Sequence, residues 1–255
     1  MYIETKSSLH RFFISFCQME NLTHDDLFFV AMLLNKKCMY EESLKYLYRA
    51  IEISPVMNEN QQDIFFTPHR EIAKTLRNSI KDFSSIYNVD AVETESQAQS
   101  VNTLVSDLSK QLLEFCNDFC TLLNEQIIPH AESLFDKAVY LLVVGDFSRF
   151  VGELTIQESG EAADSALESY LAAKEIADKY IDSCNPVKLN IYLNYAILLN
   201  DIFNKPAEAI ELAQTIYNSS IHELPKLDEK TRLVSSEILQ LLKDNATEWA
   251  TELRL

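Results

Sequence analysis

Three arginines have the spacing and surroundings of a phosphate-binding cluster. Arg70 and Arg77 are seven positions apart, so on one continuous helix they lie about 10 Å apart along the axis and on nearly the same face. Arg149 lies in an apolar, phenylalanine-containing stretch close to Asp146. Guanidinium groups that converge in a groove bind a phosphate dianion through charge-assisted hydrogen bonds, each worth about 1.5–3 kcal/mol. The alternative is three exposed arginines, each paired with a nearby carboxylate.

Two asparagines interrupt the apolar stripes of two predicted helices. Asn194 lies in a proline-led segment that begins at Asn185, and Asn245 belongs to a segment that runs on to Trp249, the only tryptophan. An amide side chain carries both donors and an acceptor, which suit a peptide backbone better than a hydrocarbon core. These two positions therefore favour contact with a bound peptide.

No catalytic motif accompanies these residues. The sequence contains no nucleophile paired with a base, no paired-carboxylate site, no glycine-rich phosphate loop and no metal-ligand spacing. The five cysteines are irregularly spaced, which is typical of reduced thiols inside a cell. Cys116 and Cys120 lie four apart, but no second pair and no nearby histidine completes a metal site. We therefore expect a protein that is not an enzyme and has no metal or cofactor.

The composition favours an all-helical protein that binds neither nucleic acid nor membrane. The 255 residues are 47% hydrophobic, enough for a buried core, and include only three glycines, too few for many tight β-turns. A net charge of −17 repels anionic nucleic acid and lipid. No apolar run reaches the ~18 residues that span a bilayer, and the start of the chain lacks a signal-type core. We expect a protein of the cytoplasm, with the nucleus as the alternative location.

Apolar spacing and boundary residues predict nine or ten helices with short connections. A first helix starts at Thr23, and a second, Tyr40 to Pro55, resembles the latter part of a tetratricopeptide repeat. A third, from Asn60 to Tyr87, is predicted to kink or to start late at Pro68. The remaining predictions are a surface loop over 88–98, a helix over Val101 to Asn124, a helix from Leu134 with a bend or interruption at Gly145-Asp146, a boundary at Gly160, and helices near Pro186, Pro206 and Pro225.

Several of these segments together resemble the 14-3-3 family. The resemblance covers roughly Tyr40 to Trp249 and is strongest after Leu112. It implies an all-α fold of antiparallel helices that form a concave, tetratricopeptide-related groove over residues 23–255, after a divergent N-terminal extension over residues 1–22. The segments that carry it are Ile127-Ile128-Pro129-His130-Ala131, Val139-Tyr140-Leu141, Gly145-Asp146-Phe147-Ser148-Arg149-Phe150, Leu193-Asn194 and Lys243-Asp244-Asn245 through Trp249.

The resemblance implies a non-catalytic adaptor that binds phosphoserine or phosphothreonine segments of partner proteins, normally as a dimer. In that family pattern Arg70, Arg77 and Arg149 hold the phosphate, while Asn194 and Asn245 hold the main chain of the ligand. We expect phosphorylated proteins or peptides as partners, and a homodimer or a heterodimer with 14-3-3 paralogues. The apolar wall and the far end of the groove are Leu193, Ile197, Leu241, Asp201 and Trp249.

Three departures from the family pattern weaken the predicted phosphate site. Phe150 stands where the family has tyrosine, which removes one phosphate hydrogen bond worth about 1 kcal/mol or more. Leu142 replaces a lysine near the pocket. Pro68, two residues before Arg70, is expected to rotate that arginine away from the other two.

Two further departures change the charge of the groove. Glu237 and Glu248 replace leucines of the apolar wall, so acidic residues flanking the phosphate are disfavoured and Lys or Arg is favoured. Together, the departures leave an alternative open, in which the groove is a phosphate-independent helical scaffold of the tetratricopeptide type.

The N-terminal segment from Tyr2 to Glu20 is the least family-like part of the chain. It carries four large apolar residues, Phe12, Phe13, Ile14 and Phe16. Because the first helices of the family build the dimer contact, these residues are expected to form, extend or replace it, or to pack within their own chain.

Overall fold

The computed structural model describes residues 21–87, 94–155 and 160–253. Within these ranges the chain forms nine α-helices and no strand, which confirms the all-α prediction. The predicted extension over residues 1–22, with its aromatic residues, lies almost wholly outside the described residues. The helices are α1 (His24–Asn35), α2 (Tyr40–Ile53), α3 (Glu59–Tyr87), α4 (Glu95–Leu122), α5 (Leu134–Leu154), α6 (Glu161–Tyr180), α7 (Pro186–Asp201), α8 (Pro206–Ser220) and α9 (Glu229–Glu252).

The chain divides into two compact units, one that ends at His130 and one that begins at Ala131. In the first unit α2 packs against α1 and α3, and α4 packs against α3. In the second unit α5 packs against α6, and α7 packs against α6, α8 and α9. A single helical domain over residues 23–255 stays a prediction.

Helix α3 differs from its prediction because it begins at Glu59 and continues through Pro68, so the late start is wrong. A proline has no backbone N–H, so Pro68 cannot donate to the carbonyl of Ile64 four residues earlier. The side-chain amide of Asn35, at the end of α1, donates to that oxygen instead, at 2.9 Å. A neighbouring helix therefore satisfies the acceptor that the proline leaves open.

Helix α4 begins at Glu95, six residues before the predicted Val101. Its start is a capping box, in which the Thr94 hydroxyl accepts from the backbone N–H of Gln97 at 3.2 Å and the Gln97 side chain accepts from that of Thr94 at 3.0 Å. A capping box satisfies two backbone donors that would otherwise have no partner. The capping box therefore starts α4 inside the segment 88–98, which is predicted to be a loop because its residues are polar.

Helix α5 runs unbroken from Leu134 to Leu154, so the predicted bend or interruption at Gly145-Asp146 is wrong. The glycine serves close packing instead, because a Cβ at Gly145 would lie 2.5 Å from the ring of Tyr170 on α6. Such a distance is far inside van der Waals contact. The absence of a side chain therefore lets α6 lie close against α5 and seats Tyr170 beside the residues of the candidate site.

An aromatic cluster around His69 forms the centre of the first unit. His69 is fully buried, and its ring stacks on Phe119 with centroids 3.7 Å apart. One ring nitrogen contacts the carbonyl of Phe65 at 2.8 Å and the other the hydroxyl of Tyr48 at 3.1 Å. Burial lowers the pKa of His69 to about 3, so the ring is neutral at physiological pH.

Candidate functional site

Arg149 is the most buried of the predicted site residues that carry charge, with only 9% of its surface exposed. It lies on α5, where one terminal N–H donates to the carboxylate of Glu153 one turn further on. Its guanidinium carbon lies 5.1 Å from the centre of the Phe150 ring. Its Nε has no hydrogen-bond partner among the residues that the structure describes. A buried donor without an acceptor is unfavourable, so this guanidinium gains from any further acceptor that reaches it.

Acidic and phenolic neighbours keep Arg149 charged. Burial by itself lowers the pKa of Arg149, but Tyr170, Glu153 and Asp146 raise it above its usual value. The hydroxyl of Tyr170 donates to Asp146 Oδ1 at 2.7 Å, and burial together with Asp146 raises the pKa of Tyr170 well above its usual value. The site is thus a fixed cation held by carboxylates, and an incoming anion must compete with them.

Two caps and a buried lysine hold α7 in place. The Asn185 side chain accepts from the backbone N–H of Val187 at 2.9 Å, and Pro186 occupies the first turn, where its missing N–H costs nothing. Lys188 Nζ donates to the carbonyls of Ala177 and Ile181 at the end of α6, at 3.0 and 3.3 Å. These contacts fix the start of α7 against α6 and so set the position of Asn194 two turns later.

The two predicted backbone-binding asparagines lie on helices that pack together, Asn194 on α7 and Asn245 on α9. Both are half-buried, and neither side-chain amide hydrogen bonds to any other residue in the described ranges. Their donors and acceptors are therefore available to a ligand, and contact with a peptide backbone stays a prediction.

A pocket of about 350 Å³ opens between α7 and α9, and we call it the acidic pocket. Asp201 accepts from the side chain of Asn200 at 2.8 Å, whereas Glu248 and Glu252 have no cationic partner among the described residues. The structure thus brings five of the predicted residues together in one site. The lining residues are Ile197, Asn200, Asp201, Asn245, Glu248, Trp249 and Glu252.

The other predicted groove residues lie outside this pocket. Leu193 is only 7% exposed and belongs to the core between α7, α8 and α9. Leu241 is 51% exposed on α9, and Glu237 is exposed one turn before it. Leu241 is therefore the apolar residue of the predicted wall that is most open to a partner.

The remaining two predicted arginines belong to the first unit. Arg70 and Arg77 both lie on α3, which is helical throughout, so their seven-residue spacing does place them on nearly one face. Arg70 is exposed, and its guanidinium carbon lies 5.4 Å from the centre of the Phe66 ring. Arg77 is half-buried.

The described ranges contain no group of three or more His, Cys, Asp or Glu side chains arranged to hold a metal ion. In the same ranges, no helix combines the length and the apolar character that crossing a membrane requires. The cytoplasmic and nuclear location stays a prediction.

Comparison with known proteins decides the family. The model of the 14-3-3 protein family matches residues 30–250. The chain belongs to the 14-3-3 family. It is 27% identical to the 14-3-3-like protein GF14 iota of Arabidopsis thaliana, over 88% of this chain and 85% of that protein. It is also 27% identical to the 14-3-3 family protein artA of Aspergillus flavus, over 89% and 97%, and 26% identical to the checkpoint signal transducer rad24 of Schizosaccharomyces pombe, over 92% and 87%.

Members of the 14-3-3 family are non-enzymatic adaptors, and this membership supports a protein-binding adaptor role for the chain. The structure shows the surroundings of two residues that depart from the 14-3-3 pattern. Leu142, which replaces a lysine, is only 6% exposed and packs in the core between α5, α6 and α7. Phe150, which replaces a tyrosine, offers Arg149 an aromatic face instead of a hydroxyl.

Sequence reasoning missed the residues that surround Arg149 and part of the acidic pocket in this 14-3-3 protein. Glu153 follows Arg149 by four residues, and Glu252 follows Glu248 by four, so helical spacing would have paired them. Tyr170 lies on a different helix from Arg149. No local pattern predicts that contact, because it depends on the close packing of α5 and α6.

Proposed function

We propose that this 14-3-3 protein binds phosphoserine- or phosphothreonine-containing segments of partner proteins. The observation that supports it is the buried guanidinium of Arg149, whose Nε lacks an acceptor among the described residues. Guanidinium groups bind phosphate through paired, charge-assisted hydrogen bonds. In a chain with a net charge of −17, such a local cation is the feature that makes anion binding favourable.

The carboxylate of Glu153 is the reason that ligand binding at Arg149 is expected to require a phosphate. In the free protein Glu153 accepts from Arg149. A phosphate carries up to two negative charges and three acceptor oxygens at neutral pH, so it competes with one carboxylate for the same donors. An unmodified serine brings no charge, and we expect it to leave the pair of Arg149 and Glu153 intact.

The phosphate-binding roles of Arg70 and Arg77 rest on the family resemblance. Each is tested separately by Arg70→Ala and Arg77→Ala, which we expect to weaken binding of a phosphorylated peptide and to leave its unphosphorylated twin unaffected. Equal weakening of both peptides would exclude a phosphate-specific role for the substituted arginine.

We further propose that Asn194 and Asn245 bind the main chain of the ligand. Their amides have no protein partner within the described ranges, and α7 and α9, which carry them, pack together. An amide can donate to a peptide carbonyl and accept from a peptide N–H at the same time. Binding of this kind is independent of ligand sequence, which suits an adaptor with many partners.

The acidic pocket supports a preference for basic residues beside the phosphate. Asp201, Glu248 and Glu252 line it, and the two glutamates lack a cationic partner in the described structure. A Lys or Arg side chain of the ligand would reduce the repulsion between these carboxylates, while an acidic one would increase it. Ligands are therefore expected to carry positive charge next to the modified residue.

A fluorescence-polarisation titration with a phosphoserine peptide and its unphosphorylated twin tests the proposal. We expect micromolar or tighter binding of the phosphorylated peptide, lost with the Arg149→Glu variant. Lys243→Glu, an exposed charge reversal on α9 outside the acidic pocket, serves as a control for the change in net charge. Equal affinity of the wild-type protein for both peptides would contradict phosphate recognition.

A phosphate-independent scaffold is the second candidate function. Phe150 lacks the tyrosine hydroxyl, Leu142 is buried in the core, and Leu241 and Leu233 on α9 are 51% and 62% exposed. Exposed leucines on one helix favour contact with an apolar partner. This function predicts that Arg149→Glu leaves partner binding intact and that Leu241→Asp abolishes it, whereas phosphate recognition predicts that Arg149→Glu abolishes binding.

We also propose that the protein forms a homodimer or a heterodimer with 14-3-3 paralogues. Phe29 and Leu33 lie one turn apart on α1 and are 58% and 45% exposed, which leaves an apolar stripe on that helix. Light scattering after size-exclusion chromatography should give the mass of a dimer for the wild type and of a monomer for Phe29→Ser with Leu33→Ser. An unchanged dimer mass in that variant would show that the stripe is not the interface.

A further inference from the structure

Tyr170 on α6 has the largest fully buried side chain among the described residues. Its ring packs in the core between α5, α6 and α7. The ring also lies against Gly145 on α5, where a Cβ would come within 2.5 Å of it. Such close packing fixes the position of the ring and the direction of its hydroxyl.

The hydroxyl of Tyr170 has a carboxylate as its partner. It donates to Asp146 Oδ1 on α5 at 2.7 Å. Burial together with the nearby Asp146 raises the pKa of Tyr170 well above its usual value, so the hydroxyl keeps its proton and stays a donor at physiological pH. A hydrogen bond to a charged group is stronger than one between neutral groups. One oxygen of Asp146 is therefore held by a group that lies out of reach of solvent.

Asp146 is close enough to Arg149 to affect it. It lies three residues earlier on α5, a spacing that places both side chains on the same side of the helix. Burial lowers the pKa of Arg149, and Asp146 is one of the groups that raise it. Arg149 already donates to Glu153, so a second carboxylate that turned to the guanidinium would compete with an incoming phosphate for its other donors. The hydrogen bond from Tyr170 restrains Asp146 from that movement.

We propose that Tyr170 is a positioning residue of the phosphate site, whose hydroxyl holds the carboxylate of Asp146 and so keeps the guanidinium of Arg149 open to a phosphate. Tyr170 is fully buried and acts without touching the ligand. The inference rests on the proposed phosphate recognition, and it adds a residue of α6 to a site whose cation lies on α5.

Tyr170→Phe removes the hydroxyl and keeps the ring. We expect this variant to bind a phosphoserine peptide about tenfold more weakly than the wild type does. Its affinity for the unphosphorylated twin should not change, because only the phosphate needs the open guanidinium. Fluorescence-polarisation titrations of both peptides give the ratio of the two affinities, which we call the phosphate preference.

Tyr192→Phe is the matched control. Tyr192 is 7% exposed, and its hydroxyl donates to a carboxylate, that of Asp178 on α6, at 2.8 Å. That carboxylate pairs with two lysines, Lys174 at 2.8 Å and Lys188 at 3.2 Å. We expect both tyrosine variants to lose thermal stability to a similar extent, whereas only Tyr170→Phe should lose phosphate preference. An equal loss of phosphate preference in both variants would overturn the proposal.

A second substitution tests the role of Asp146. Adding Asp146→Asn to Tyr170→Phe removes the charge that competes for the guanidinium, so we expect most of the phosphate preference to return. An uncharged residue at this position would not repair a defect of packing around the ring. A double variant that binds the phosphorylated peptide as weakly as Tyr170→Phe alone would overturn the proposal.

The NMR signal of the Arg149 Nε–H group gives a readout that needs no ligand. Assigned with the help of Arg149→Lys, this signal should shift in Tyr170→Phe, return when Asp146→Asn is added, and stay in place in Tyr192→Phe. If the wild type prefers the phosphorylated peptide and Tyr170→Phe keeps that preference, the proposal is wrong.

Failure of phosphate recognition itself would look different, because the wild type would then bind both peptides equally. In that case the NMR signal decides alone. A signal that shifts in Tyr170→Phe and returns with Asp146→Asn would still support the positioning of Arg149 by Tyr170, and an unchanged signal would overturn it.

Discussion

At the scale of single residues, we expect Phe150 to limit the proposed phosphate binding of this 14-3-3 protein. Its ring lies beside the guanidinium of Arg149 and offers no hydrogen-bond donor. Phe150→Tyr restores a hydroxyl, worth about 0.5–1.5 kcal/mol, so we expect affinity for a phosphorylated peptide to rise about three- to tenfold. Titration of the unphosphorylated twin is the control and should show no gain. A tyrosine variant that improves both peptides equally would mean that the ring contacts the peptide and not the phosphate.

We expect Glu248 to set the charge preference proposed for the acidic pocket. The pair Glu248→Leu and Glu248→Lys separates loss of charge from its reversal at an exposed position on α9. We expect Glu248→Lys to weaken the binding of a peptide with an arginine beside the phosphoserine by about 1 kcal/mol or more. The affinity of Glu248→Leu should lie between those of Glu248→Lys and the wild type. The measurement is a titration at two salt concentrations, because screening should reduce the differences. If the wild type, Glu248→Leu and Glu248→Lys keep the same order of affinity for a peptide that lacks the arginine, Glu248 does not recognise its charge.

At the scale of helices, the contact between α5 and α6 supports the site through Gly145. Gly145→Ala would place a Cβ 2.5 Å from the ring of Tyr170, which donates to Asp146 beside Arg149. Alanine favours a helix over glycine by about 1 kcal/mol, but forced displacement of a buried ring costs more, so we expect a net loss of about 1–2 kcal/mol of stability. Thermal unfolding measures it. Gly160→Ala, where the nearest atom lies 3.8 Å away, is the control for the added methyl group and should cost less, since it loses only the preference of the α6 N-cap for glycine over alanine.

The helices show how much of the fold the sequence could predict. Apolar spacing and capping residues identified the all-α architecture, and the start of α1 at the Thr23 capping box is confirmed. The errors at Pro68 and Gly145 share one cause, since a neighbouring helix decides each outcome. Asn35 satisfies the carbonyl that Pro68 leaves free, and Tyr170 occupies the space that Gly145 provides. Contacts between distant segments of sequence have no local signal.

The relative positions of candidate-site residues were predictable from sequence where the residues share one helix. They were less predictable where the residues lie on different helices. The seven-residue spacing of Arg70 and Arg77 holds on α3 because that helix is continuous. Ile197, Asp201 and the residues of α9 meet in the acidic pocket only because α7 packs against α9. The family resemblance, not periodicity, placed those two helices in one site.

At the scale of the whole molecule, a buried histidine should link stability to pH. The pKa of His69 falls from 6.5 to about 3 on folding, so between these values the unfolded chain binds more protons than the folded one. The contribution of neutral His69 to the free energy of unfolding is therefore fully present above pH 6.5. It is lost as pH falls toward 3, with a slope of up to about 1.4 kcal/mol per pH unit. Urea unfolding from pH 7 to pH 4 should show a shallower loss for His69→Leu than for the wild type. The exposed His222→Gln is the control, and parallel curves for all three proteins would contradict the assignment.

Phosphate recognition by Arg149 is the central claim, and a thermodynamic cycle tests it most directly. Isothermal titration calorimetry would give four binding free energies, for a phosphorylated peptide and its unphosphorylated twin with the wild type and with Arg149→Ala. The contribution of the phosphate is the difference in binding free energy between the two peptides. We expect it to be about 2–3 kcal/mol with the wild type and much smaller with Arg149→Ala, because the phosphate and the guanidinium interact directly. If the phosphate contributes the same free energy in both proteins, Arg149 does not bind it and the account is wrong.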